Sequence, residues 1–194
     1  MTIESIIITL SYFGILLLMT SNGIVSFPSS QILYIICGYF IYIGDLSLSL
    51  VLISGVIGNT IGNYILYEIS RQKGLKYLLK FKFFPEKEIK KIQIVFNKKG
   101  AWFLFIGKLL PAIKVLVPIP AGFSKMNRFL FNIIIFISSL IWALIFIYIG
   151  YFFGKSSNVF GSFAIILLIF TFILISIFYK FMNSKEILNE IKNQ

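Results

Sequence analysis

The sequence predicts an all-α polytopic membrane protein in which two oppositely oriented re-entrant helical hairpins pack among about four transmembrane helices as an inverted repeat. Three observations carry this expectation. The 194 residues are 58% hydrophobic and only 13% charged, whereas a soluble domain is about half apolar and about a quarter charged. Long apolar runs recur along the chain. Two of them are interrupted at Pro28 and Pro111, and proline removes a helix hydrogen bond and kinks the backbone.

The first apolar run, Ile6–Met19, reads as a retained helix. Glu4 precedes it without any Lys or Arg, and no small-x-small cleavage pattern follows, so it does not resemble a signal peptide. It is short for a span, but Tyr12, Thr20 and Ser21 allow a longer helix. Residues 22–44 form the first predicted hairpin, with Ser26-Phe27-Pro28-Ser29-Ser30-Gln31 ahead of Ile32–Cys37 and Gly38. Leu46–Ile69 is then long enough, at about 1.5 Å per residue, to cross a roughly 30 Å hydrocarbon core.

Charge changes abruptly after this span. Residues 1–70 contain no Lys or Arg, whereas residues 71–100 contain ten against only Glu86 and Glu88. The positive-inside rule places that segment in the cytoplasm. Residues 101–122 are the second predicted hairpin, holding Lys108-Leu109-Leu110-Pro111-Ala112-Ile113-Lys114, then Pro118, Pro120 and Gly122. Phe129–Gly150 and Phe160–Tyr179 read as spans, and residues 180–194 as a cytoplasmic tail.

Charge parity makes 101–122 a hairpin. A single crossing would move Lys125 and Arg128 outside, whereas a hairpin returns them to the cytoplasm, and two further spans leave only Lys155 of the later basic residues outside. The first segment has a similar layout: Pro28, Gln31 and Gly38 parallel Pro111, Lys114 and Gly122. If residues 22–44 also re-enter, Ser21 and Asp45 lie outside and the N-terminus inside. The chain then divides into a first repeat at 1–70 and a second at 101–154, joined by the basic segment. Opposed broken helices of this kind meet near the midplane in transporters.

Composition removes several chemistries. There is no histidine, and Cys37 is the only cysteine, so no Ser-His-Asp triad, His-based metal motif or internal disulfide exists. Glu86, Glu88, Glu186 and Glu190 fall in polar segments, which argues against a buried catalytic carboxylate pair. No metal, cofactor or catalytic residue is expected. The basic run carries a topogenic reading and a second one, in which residues 71–99 lie on anionic inner-leaflet lipid at about 1 kcal/mol per charge. Tyr77, Leu78, Leu79, Phe81, Phe83 and Phe84 favour an amphipathic stretch at the interface. It lacks a folded nucleic-acid motif, so no nucleic acid is expected as partner.

Lys108 and Lys114 are the most informative residues. A charge at the bilayer centre costs roughly 2.5–3.5 kcal/mol on insertion scales. They flank Pro111 six residues apart, and a break there lets both converge on one anion. The alternative is snorkelling, with the ammonium groups at the cytoplasmic interface. Ser29, Ser30 and Gln31 offer hydroxyl and amide hydrogen bonds on the opposite hairpin, or else cap its tip. Asp45 and Glu68 bound the second span. Glu68 pairs with Arg71 at i, i+3, or turns inward as a counter-ion to the lysines. Gly55, Gly58 and Gly62 suit close helix packing. Trp102 and Trp142 read as interfacial or packing aromatics.

These elements, in order, resemble the DedA family, also called the SNARE-associated or VTT-domain family. The resemblance covers about residues 20–155. It includes Pro28–Gly38, Gly55-x-x-Gly58-x-x-x-Gly62-x-Tyr64, Ser70-Arg71-x-x-Gly74, Phe96-Asn97-Lys98-Lys99-Gly100, Lys108 to Lys114, Ala121-Gly122 and Gly150-Tyr151-Phe152-Phe153-Gly154. It implies two opposed re-entrant hairpins and work on lipids, namely undecaprenyl phosphate recycling in bacterial members and phospholipid scrambling in eukaryotic relatives. Family members usually carry arginines at Lys108 and Lys114 and acids at positions resembling Ser21 and Gln31. Lysine keeps the charge but lacks arginine's bidentate fork. Loss of both acids weakens the case for proton coupling unless Asp45, Glu68 or Glu4 substitutes.

The function expected is therefore a flippase or scramblase for an anionic lipid head group, with polyprenyl phosphate or a membrane phospholipid as partner and a homo-oligomer as one possible assembly. A proton- or ion-coupled antiporter is the alternative, a lipid-phosphate enzyme a weaker one, and a structural partner for other membrane proteins the last.

Overall fold

The computed structural model describes residues 3–78, 86–111, 113–155 and 176. The expected span at 160–179, the tail at 180–194 and most of the aromatic run ending at Phe84 lie outside these residues. Six helices follow in order among the described residues: α1 (Ile3–Val25), α2 (Ser30–Tyr42), α3 (Leu48–Leu78), α4 (Glu86–Lys108), α5 (Pro118–Phe123) and α6 (Arg128–Lys155). No strand occurs among them.

Leu48–Gly74 of α3 and all of α6 are long and apolar enough to cross a membrane by length and composition. They fall where the spans Leu46–Ile69 and Phe129–Gly150 are expected. The pattern around α3 is turned outward: Leu50, Ile53, Ile57 and Ile61 are exposed at three- and four-residue spacing, while Val51, Ser54, Asn59 and Asn63 are buried. Apolar side chains outside and small or polar ones at helix contacts are the arrangement that lipid, rather than water, selects.

The chain divides into two compact units, with boundaries at Ile65–Leu66 in α3 and Ile135–Phe136 in α6. In the first unit α1 and α3 run side by side in the same direction. Gly58 lies on the Leu16 backbone, Gly62 on that of Thr20, and Gly23 on α3 between Asn59 and Asn63. Glycines four apart allow such close backbone approach. Helix α2 returns in the opposite sense and packs along α6, where Gly38 faces Ile147 and Gly150, and Gly154 faces Tyr42. With 13 residues it covers only about 20 Å.

The expected 22–44 segment falls on the end of α1, the break after it and α2. The Thr20 hydroxyl donates to the Leu16 carbonyl at 2.8 Å, inside a helix that runs on to Val25. The break falls at 26–29, where Ser26 has φ +63°. The turn at 43–47 comes back to the beginning of α1, and the Ser47 N–H donates to the Tyr12 hydroxyl at 2.8 Å. Asp45 therefore sits at the end of the unit where α1 starts, and Ser21 towards the other end. The sequence reading had put both on one face, opposite the N-terminus.

In the second unit, Leu66, Ile89, Val115 and Ile119 form a buried cluster with Ile69, Leu116 and Phe123 against it. The first half of α4 is amphipathic: Ile89, Ile92, Val95 and Phe96 are buried, whereas Glu86, Lys90, Asn97, Lys98 and Lys99 are exposed. Its apolar face is thus covered by its own unit. Gly100, at φ +54° and ψ −129°, turns the chain between this basic half and the apolar half at 101–108. A side chain there would be strained.

Candidate functional site

Helix α4 ends because Pro111 has no N–H to continue the ladder. Tight turns satisfy the freed groups. The Leu110 N–H donates to the Gly107 carbonyl at 3.2 Å, and the Ile113 and Lys114 N–H groups share the Leu110 carbonyl at 3.2 and 3.0 Å. Pro118 then occupies the first turn of α5, where no N–H is needed. Gly107 lets the turn fold back on the helix, since a Cβ there would meet a Val117 methyl at 2.8 Å.

This break carries both predicted lysines. Lys108 lies in the last turn of α4, where a cation faces the negative end of the helix dipole. Lys114 lies in the turns beyond. Each is only 4% exposed. Both are enclosed by protein rather than extended to its surface, as snorkelling would require. Lys91 is a third buried lysine in this unit, 3.4 Å from Glu88. The sequence had read it simply as part of the basic run.

The chain returns close to where it left. The Gln93 amide donates to Asn97 at 2.8 Å and to the Ser124 hydroxyl at 3.2 Å, so residues on either side of the broken segment share one polar contact. The return is pinned to α3. Tyr67 donates its hydroxyl proton to the Met126 carbonyl, and Arg71 donates to that carbonyl at 3.0 Å and to the Tyr67 oxygen at 2.6 Å. Glu68 accepts from Arg128 at 2.6 and 3.2 Å and from Gln72 at 3.1 Å. The sequence left Glu68 either to Arg71 or to the lysines as a counter-ion; here its carboxylate accepts from Arg128, sixty residues on, while Arg71 donates to Met126 and Tyr67. Asp45 is exposed in the turn after α2.

In the first unit Ser29, Ser30 and Gln31 stand together behind Pro28. The Ser29 and Ser30 hydroxyls donate to the Gln31 side-chain oxygen Oε1 at 3.0 and 3.4 Å. Ser29 occupies the N-cap of α2, but its side chain does not cap the helix. Trp142 does more than pack: its indole N–H donates to the Ser30 hydroxyl at 3.1 Å. The serine–glutamine group belongs to the first unit and the lysine pair to the second.

Sequence reading missed a buried amide network beside this break. The Asn59 amide donates to Asn22 Oδ1 at 3.1 Å, and Asn22 donates in turn to the Pro28 carbonyl at 2.6 Å. Asn59 Oδ1 accepts from Asn63 at 3.1 Å and from the Ser139 hydroxyl at 3.0 Å. A signal was present: Asn59 and Asn63 are four apart in a membrane span, where unpaired amides are costly. The shared face of α3 that holds them also holds Gly58 and Gly62.

A family model described as the VTT domain matches residues 27–152. Among curated proteins, the Uncharacterized membrane protein YkoX of Bacillus subtilis is 32% identical over 157 residues, which is 79% of this chain and 69% of the relative. Undecaprenyl phosphate transporter A of B. subtilis is 27% identical over 157 residues, 77% of this chain and 79% of that protein. Undecaprenyl phosphate transporter A of Staphylococcus aureus is 30% identical over 138 residues, 68% of each chain. No solved structure matches.

Proposed function

Since the chain belongs to the VTT domain (DedA) family of membrane proteins, we propose that it is a lipid transporter that moves an anionic lipid head group across the cytoplasmic membrane, with undecaprenyl or another polyprenyl phosphate as the leading substrate. One observation carries the reading: two lysines enclosed by protein beside a broken helix, each 4% exposed. Phosphate must shed its water to cross hydrocarbon, and two ammonium groups replace part of that hydration. Two relatives named undecaprenyl phosphate transporter A support the substrate class.

In this reading the segments around Pro28 and Pro111 are re-entrant hairpins of an inverted repeat. Lys108 and Lys114 hold the phosphate at the second break, and Ser29, Ser30 and Gln31 are the hydrogen-bonding groups available to a head group at the first. The basic residues of 71–99 face the cytoplasm and anionic lipid. The protein acts as a carrier, without a covalent intermediate.

The test is reconstitution of the full chain in proteoliposomes with labelled undecaprenyl phosphate. Transbilayer movement is expected, and Lys108→Ala with Lys114→Ala should abolish it. Undiminished movement by the double variant removes the lysine pair from the mechanism. Release of inorganic phosphate indicates an enzyme, and movement only under an imposed pH gradient indicates the coupled antiporter.

A further inference from the structure

We propose that Asn59 is a positioning residue, a buried hub on α3 that fixes the first break and with it Ser29, Ser30 and Gln31. The segment 26–29 has no helix or strand to hold it. The Pro28 carbonyl is held by the Asn22 side chain, whose other end is held by Asn59. Asn59 is itself oriented by two donors, Asn63 from the next turn of α3 and Ser139 from α6. Asn59 is 6% exposed, Asn22 1% and Ser139 3%. The contact therefore runs from α6 through α3 and α1 to the break, without passing through water.

The residue type follows from this. Asn59 donates once and accepts twice through a single side chain. Aspartate would lose the donor and bring a charge, and leucine would lose both functions and leave Asn22 and Ser139 short of partners. Gly23 lies directly on the α3 backbone at Asn59–Asn63, a close approach that brings Asn22 within reach of Asn59. Trp142 holds the following residue, Ser30, independently from α6. The break is thus set by two latches from helices that are themselves long and continuous, which is how a short irregular segment keeps one geometry at membrane depth.

The role of the three positioned residues as head-group contacts rests on the function proposed above; the latch does not, and it is tested without transport. In the full chain carrying Cys37→Ala, Ser29→Cys places a thiol at the break and Ser47→Cys one in the exposed turn after α2. Asn59→Leu should speed maleimide labelling at the first thiol about tenfold, the population change expected when one buried hydrogen bond is lost. Labelling at the second thiol should stay at the parent rate. Equal rates at the break in parent and variant overturn the proposal, and so does a parallel increase at both thiols, which would mean general loosening. Should Asn59→Leu not yield monodisperse protein, Ser139→Ala and Asn22→Ala are read with the same thiols; no acceleration at the break in either overturns it as well. Lack of lipid movement by the parent would sink the function while leaving the labelling result to decide the latch.

Discussion

Burying Lys108 and Lys114, each 4% exposed, works against stability because each ammonium group gives up water. Replacing a buried charge by an apolar side chain of similar volume is often neutral or stabilising. Lys108→Met and Lys114→Met are therefore expected to raise the folding stability by about 1–3 kcal/mol while lowering transport, a pairing typical of side chains retained for function. Thermal unfolding in detergent checks this; a clear fall in the midpoint would mean that these lysines hold the break together instead. At this scale the lysines were legible in the sequence because a charge inside an apolar run signals its own cost. The amide network was not. Asn22, Asn59, Asn63 and Ser139 are neutral, lie on three helices and acquire meaning only when Gly58 and Gly62 bring those helices into contact. The same is true of Glu68 and Arg128, whose pairing depends on the chain returning to α3.

Among the elements, α3 and α6 were read where they stand, since an apolar stretch leaves few alternatives, although α3 runs on past the expected Ile69 to Leu78. The short helices were not. Thr20 and Ser21 allowed a longer helix in sequence, since a hydroxyl that bonds the preceding turn is tolerated inside one; α1 runs on further, to Val25. What sets the angle of α1 on α3 is backbone contact at glycine. A Cβ on Gly62 would strike the Thr20 carbonyl and a Cβ on Gly58 that of Leu16, whereas Gly14 on the same helix α1 has nothing within 4 Å. Gly62→Ala should thus destabilise by about 1–3 kcal/mol through overpacking. Gly14→Ala should be neutral or stabilising by up to about 1 kcal/mol through helix propensity. Thermal stability of the two variants side by side decides it. If both behave alike, the close approach at Gly62 does not govern the packing.

For the whole chain, charge and helix length together set the crossing pattern. Helix α3 leads from a turn holding Asp45 to the start of the basic segment, and its 27 residues from Leu48 to Gly74 suffice for one crossing. The break at Pro111 then matters for parity. Ser124 is back beside Gln93 and Asn97, so the exposed Lys125 and Lys98 belong at one face. The start of α1 lies with the 43–47 turn, because α1 and α3 run in the same direction and α2 against them. A membrane-impermeant maleimide should therefore react with Ser47→Cys in right-side-out vesicles carrying Cys37→Ala, and a protease site fused ahead of Met1 should be cut from that same side. Lys98→Cys and Lys125→Cys should react only in inverted vesicles. Opposite accessibility of the last two would make 101–122 a full crossing and end the re-entrant reading. Protection of the N-terminal site while Ser47→Cys reacts would restore the sequence-based placement of α1. Parity alone could not distinguish those placements, since no Lys or Arg precedes Arg71; the direction of α1 along α3 is what separates them.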